Sequence, residues 1–383
     1  MMRRQRCALD LHVQPFTPSE TNYFLEQALE REAISADTLE DIRRYAGGMP
    51  LFLREAAESL RDAHHPKKRG LTGLRGSLRM RLRDIGERNR QMLEAAAILG
   101  FSFADDELQQ MLGWTLSAYA SALDDLHARR LLIDTVTHGA DDYAFSHHLI
   151  HDIILTDIPA ERAVILHKQA ARSLETVHAG QRGYAARIAA HYEMARCAQT
   201  AAHFWLEHAR ESTDLAAFEY ALESIARAET LLEGASRDVR ELRAQAAMQH
   251  GTIALYQGES SLSLSLLRDV VDVSREFPAL YIQALVAHSY ALYTCDRAEA
   301  AHAVASQALE LALSLHDAPN AVRALNLRGV SALMLGRVRE AVDDLQRACT
   351  LTDQMQQDDV DVRGTMKRMS FASLGALRGC WLP

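Results

Sequence analysis

Three histidines and an aspartate crowd the segment H-H-L-I-H-D, as His147, His148, His151 and Asp152. His147 and His151 are one helical turn apart, so on a helix their imidazoles share a face, which is how a zinc site begins. A catalytic zinc also wants a third ligand and a glutamate base. The segment supplies neither, and no metal centre is read from it. No G-x-S-x-G surrounds a serine, no cysteine has the setting of a nucleophile, and no carboxylate pair is spaced for acid and base work, so no catalytic residue is assigned. Asp105, Asp106 and Glu107 stand together as acidic residues do where a helix begins. The four lysines are Lys67, Lys68, Lys168 and Lys367, and none follows a glycine. The phosphate-cradling G-x-x-x-x-G-K-[ST] is therefore absent from the sequence.

These residues need a scaffold, and the composition provides for a globular one. The chain has 383 residues, 48% of them hydrophobic and 24% charged, enough for two or three domains. The net charge is −9, split as −3 up to Arg182 and −6 beyond it, without the broad basic excess of a non-specific DNA binder. Five cysteines (Cys7, Cys197, Cys295, Cys349 and Cys380) lie far apart, which suits reduced thiols in a cytoplasmic protein. The longest apolar stretch, Ala95 to Ala104, is about half of a membrane span. Neither a signal peptide nor a membrane anchor is read from the sequence.

Residues 1–15 hold one strand-like alternation, Leu9 to Val13, with no nearby partner strand. Residues 16–70 read as a small helical bundle: Ser19 to Arg31, capped by Ser19 or Thr17, then Asp37 to Tyr45 and Leu51 to Ala63. Gly47 and Gly48 suit the end of one helix there, and Pro50 the first turn of the next. Residues 71–158 read as a helix from Leu78 to Leu99, two shorter helices (Asp105 to Leu112 and Ser117 to Ala128), and a β-hairpin of Leu131 to Val136 with Asp142 to Phe145. Three helices and a hairpin make a winged helix. In a DNA-reading version the helix before the hairpin would enter the major groove. Here its body is acidic and alanine-rich, so direct DNA binding is disfavoured despite the basic run from Arg61 to Arg83, which ends in Arg79, Arg81 and Arg83.

From residue 159 to 383 the pattern is helix upon helix. Small residues recur at fixed offsets: Ala209, Ala221 and Ala228; Gly251, Ser263 and Val270; Ser289, Ala301 and Ala308; Gly329, Ala341 and Ala348. Such a repeat places a small residue where two helices cross closely, so the fold class expected is mainly α: a helical lid, a winged helix with a short β-hairpin, and a tetratricopeptide-like α-solenoid.

In this order the stretches P-F-T-P-S-E, G-G-M-P-L-F-L, R-L-R-D-I-G-E-R-N-R-Q-M-L-E-A-A-A-I-L-G-F-S-F and Y-A-F-S-H-H-L-I-H-D resemble the STAND class of signal-transduction ATPases. The likeness is to the bacterial regulators of the MalT and LuxR type and to the cyclase-associated AAA ATPases. The resemblance implies a nucleotide held between a P-loop core and the lid, with Pro50 against the base and His147 facing the phosphates. The alternatives for His147 are a helix cap or a filler of the domain seam. It further implies ATP or ADP with magnesium, but only if an upstream NTPase core exists. The chain reads as an incomplete member, with residues 1–15 the last strand of a missing core, and on its own it is expected to hydrolyse no ATP. The function expected is regulatory, with the repeats binding a protein partner or small inducer. The alternative is an adaptor that uses the repeats alone and binds no nucleotide.

Overall fold

The computed structural model describes residues 16–29, 39–40, 42–43, 50, 53–54, 56–57, 82, 85–135, 142–146, 148–233 and 239–354. Its contacts divide the chain into two units, Met1–Ser173 and Leu174–Pro383. The strand-like Leu9 to Val13, Gly47 and Gly48, and the basic run apart from Leu82 lie outside the described residues.

In the first unit, α1 (Pro18–Ala28) starts where Thr17 and Glu20 satisfy each other's backbone. The Thr17 amide donates to the Glu20 carboxylate at 2.8 Å, and the Glu20 amide donates to the Thr17 hydroxyl at 3.3 Å. This reciprocal cap quiets two amides that the first turn leaves unpaired. Of the two caps expected, Thr17 is the one used. Leu25 and Leu29 then share a small core with Ile42, Leu53 and Ala57.

Helix α2 (Glu87–Leu99) begins later than its apolar spacing suggests. Gly86 occupies the cap with an extended backbone, so the expected helix from Leu78 is interrupted there. Gly100 ends α2 at φ +146°, a conformation that L side chains rarely adopt. Strand β1 (Ser102–Phe103), α3 (Asp105–Leu112), α4 (Leu116–Ala128), β2 (Leu132–Asp134) and β3 (Tyr143–Phe145) follow.

The two strands of the expected hairpin pair, each shorter than read and with Val136 outside the described residues, and the sheet has a third strand. Its order is β1-β3-β2, all antiparallel, with Ser102 and Ile133 both opposite Ala144. Two paired residues are too few for alternation to announce a strand, which is why β1 escapes the sequence pattern. Phe103 and Phe145 from the sheet meet Met92, Leu108, Leu126 and Ile153 in one core. Helices α5 (His148–Asp157) and α6 (Ala160–Val177) lie on either side of Pro159, and the division into units falls within α6.

Among the described residues the second unit continues with α7 (Ala185–Met194) and then four helix pairs. These are α8 (Ala198–Asp214) with α9 (Phe218–Leu232), α10 (Arg240–Tyr256) with α11 (Ser260–Val273), α12 (Pro278–Thr294) with α13 (Ala298–Ser314), and α14 (Ala318–Met334) with α15 (Val338–Gln354). Each first helix packs on its own second helix and on the first helix of the neighbouring pair, the contact pattern of a tetratricopeptide-like solenoid.

The small residues sit where their spacing puts them. A Cβ on Gly251 would lie 2.9 Å from Cγ of Leu267, and one on Gly329 would lie 3.0 Å from Cγ of Leu345. At the same place in the third pair, the Ser289 hydroxyl donates to the Ala301 carbonyl at 2.9 Å, so a polar atom is buried with its partner. The turn inside each pair uses one left-handed residue: Ala216, Gly258, Asp296 or Gly336. That residue reverses the chain while the next amide bonds back into the helix, as from Glu259 to the Ala254 carbonyl at 2.8 Å.

Candidate functional site: the groove of the helix pairs

Burying the small-residue stripe of each first helix leaves the opposite stripe of the same helix outward. On α8 that stripe is Glu207, Arg210 and Asp214; on α10 it is Gln245, Gln249, Thr252 and Tyr256. Gln283, Ala287 and Tyr290 continue it on α12, and Asn320, Arg323 and Leu327 on α14. Spacings of three and four keep each set on one face. Because the four helices are neighbours, their stripes line one groove of about 770 Å³.

The charges of the groove are unevenly satisfied. Arg210 pairs with Glu207 at 3.2 Å, and Asp214 receives a guanidinium hydrogen bond from Arg182 at 2.5 Å. Arg323 instead donates to the amide oxygen of Asn320 at 3.3 Å and has no carboxylate in ion-pair reach among the described residues. Asn320 is itself fixed, its amide nitrogen donating to the Asp317 carboxylate at 2.7 Å at the start of α14. The guanidinium therefore stands on a braced support.

Beside it, burial pushes the Tyr256 hydroxyl above its ordinary range, with Tyr290 and Asp214 adding to the rise and Arg323 opposing it. The phenol stays protonated at neutral pH and can donate. Its ring stacks against Phe218 with 5.9 Å between centroids. Gln249 donates to the Leu206 carbonyl at 3.1 Å, while its buried amide oxygen has no hydrogen-bond partner among the described residues. The groove thus offers two phenol rings, one guanidinium without a counter-charge, and several amides.

Pro50 is helical and exposed, and His147 lies outside the described residues, as does the expected meeting of the two at a nucleotide. His148 stacks on Phe101 at 3.7 Å between centroids, and His151 bonds the Ala97 carbonyl at 3.1 Å and faces Asp152 at 3.4 Å. These contacts engage both rings in packing. Among the described residues no three histidines, cysteines or carboxylates gather to hold a metal ion, and no helix is long and apolar enough to cross a membrane. The outward side of α4 presents Leu116, Ser117, Ala120, Ser121 and Asp124, while Asp125 is engaged by Asn89 and Arg129. A second cavity, in the first unit between Leu93, Glu94 and Ile154, has about 60 Å³, room for a few waters.

The groove has no local signature in the sequence. Its lining runs from His203 to Leu327, and the only available signal is the polar stripe opposite each small-residue stripe.

No family model matches the chain. An uncharacterized protein of Rhizobium meliloti is 25% identical over 292 residues, which cover 70% of this chain and 28% of that protein. The chain thus spans well under half the length of that relative. Among solved structures, aspartyl phosphate phosphatase F from Bacillus subtilis superposes with a TM-score of 0.46 at 12% identity, covering 97% of this chain and 84% of that one. A STAND protein with a tetratricopeptide repeat sensor from Pyrococcus horikoshii gives 0.28 at 11% identity, covering 94% and 69%. The helical-repeat architecture stands on the geometry described above.

Proposed function

We propose that the chain is the lid, winged helix and sensor superhelix of a STAND-type signalling ATPase or transcriptional regulator of the LuxR kind. In this reading the groove of the repeats binds the partner or inducer that sets the switch. The observation that carries it is the groove itself, built from the same stripe of four successive first helices, because a ligand bridging them would fix each pair against the next. The order of helices and strands from α2 to β3 supports the winged helix, and the motif order read from the sequence supports the regulatory class. Pro50 and His147 contact nucleotide only with a P-loop core supplied. The residues described here provide no phosphate cradle, so nucleotide chemistry is left to that core.

Native mass spectrometry of the chain purified from its own host tests the groove. The expected outcome is a bound molecule that is retained by wild type and lost in Ala287→Trp, which fills the groove from α12. A ligand held equally by both proteins would count against this reading. The adaptor reading is separated by supplying the upstream core in the longer protein. ATP then raises the melting temperature of a switch, and leaves that of an adaptor unchanged.

A further inference from the structure

The geometry points to a small, flat, anionic molecule as the ligand of the groove, its acid group on Arg323 and its ring against Tyr256 and Tyr290. This inference rests on the groove being the binding site. A volume of about 770 Å³ lies in the usual range for small-molecule sites, roughly 300–1,000 Å³.

The sign of the charge follows from which groups are already satisfied. The groove carboxylates of α8, Glu207 and Asp214, face guanidinium groups of their own, Arg210 and Arg182. Arg323 has only the neutral Asn320 oxygen, and Asp317 holds Asn320 in place to present it. A guanidinium without a carboxylate partner, braced from behind, can hold a carboxylate or phosphate through two parallel hydrogen bonds.

The shape follows from the aromatics. Tyr256, Tyr290 and Arg323 line the same groove, and the guanidinium, the Tyr290 phenol and the Asp214 carboxylate, which Arg182 already engages, all act on the Tyr256 hydroxyl. Two phenol faces beside a cation suit a planar ring that carries the acid. The protonated Tyr256 hydroxyl gives the acid a second donor. A ligand N–H or O–H would satisfy the lone oxygen of Gln249.

Three probes of one shape separate the contributions: 1-naphthoate, the neutral 1-naphthalenemethanol and the cationic 1-naphthylmethylammonium, each titrated calorimetrically into the full chain. The expected result is that naphthoate binds at least about tenfold tighter than the other two, as one charge-assisted contact gives. Arg323→Gln should erase that preference without weakening the alcohol, Arg323→Lys should keep part of it, and Tyr290→Ala should weaken all three about two- to tenfold. Arg323 is exposed, so its loss does not threaten the fold.

Equal affinities, a preference for the cation, no binding of naphthoate, or a preference that survives Arg323→Gln would each overturn the inference. So would tight binding of the peptide acetyl-Ala-Ala-Phe with naphthoate inert. If the alcohol or the cation binds best and Ala287→Trp abolishes it, the groove remains the binding site and the assigned chemistry alone fails. If naphthoate binds as well to Ala287→Trp as to wild type, the groove assignment fails with it.

Discussion

Among the described residues the second unit meets one packing problem four times, whereas the first unit meets each of its problems once. Where two helices cross in the repeats, the first helix of each pair carries Ala209, Gly251, Ser289 or Gly329, and the second carries a fixed set of small or apolar partners. Four residues in one setting form an internal series. Among the described residues the first unit has no such series: Gly100 ends one helix in one unusual conformation, and Tyr119 donates to Asp105 at 2.6 Å at one place only. Repetition lets each pair settle the crossing by its own chemistry, while the single-copy unit depends on particular side chains.

The largest break in that equivalence is an ion pair found in the fourth helix pair. Arg328 reaches across from α14 to Asp344 on α15 with two hydrogen bonds, at 2.7 and 2.5 Å, and Asp344 is buried. Arg328→Met leaves that carboxylate uncompensated, and a loss of about 3–5 kcal/mol is expected in urea unfolding. Arg328→Met combined with Asp344→Leu should recover most of the loss, because an apolar pair needs no counter-charge. If the single variant unfolds like wild type, the fourth pair is held by packing alone, without help from its ion pair.

Glycine separates the two units next. At Gly251 the obstacle is a side chain, since the new Cβ would meet Leu267, so Gly251→Val should cost about 1–3 kcal/mol through overpacking. Leu267→Ala in the same chain should relieve part of it. At Gly100 the obstacle is the backbone, at φ +146°, with the Ser102 carbonyl 3.2 Å from a new Cβ. Gly100→Ala should therefore show no rescue by trimming a neighbouring side chain. Rescue at both positions, or at neither, would remove the distinction between space and conformation.

Much of this is legible in the sequence because it is local or periodic. The small residues at recurring offsets locate all four pairs, since the helix beginnings advance by the same intervals. The caps at Thr17 and Gly100, and the break at Pro159, announce themselves through residue type. What stays hidden depends on tertiary placement. Ser102 and Phe103 become a strand only because β3 lies beside them. The groove forms only when stripes from α8 to α14 are brought side by side. The sequence draws attention to the histidines of α5 because they are adjacent and chemically versatile, yet His148 and His151 are engaged by Phe101 and the Ala97 carbonyl.

A smaller effect, with opposite signs inside one series, belongs to the turns of the pairs. Ala216 and Asp296 hold φ of +56° and +57°, where a Cβ is unfavourable, while Gly258 and Gly336 meet the same requirement without strain. Ala216→Gly should stabilise and Gly336→Ala should destabilise, each by about 1 kcal/mol, as calorimetric melting would register. Equal signs for the two would mean that the turns are not equivalent.

The smallest expected effect is a dependence on pH, and it returns to the offset of the largest. The residue before the small one is basic in every pair, as His208, His250, His288 and Arg328. His288 is pulled below its usual 6.5 by burial first and by Arg268 second, with Asp272 acting the other way. A histidine with a depressed pKa folds neutral, so above the unfolded value it imposes no penalty. As pH falls below about 6.5 the unfolded chain takes up the proton first, and stability declines until the folded value is passed. His288→Gln should flatten that decline, read as the difference in urea midpoint between pH 7.5 and pH 5. An unchanged difference would mean that His288 is solvated well enough to charge in place.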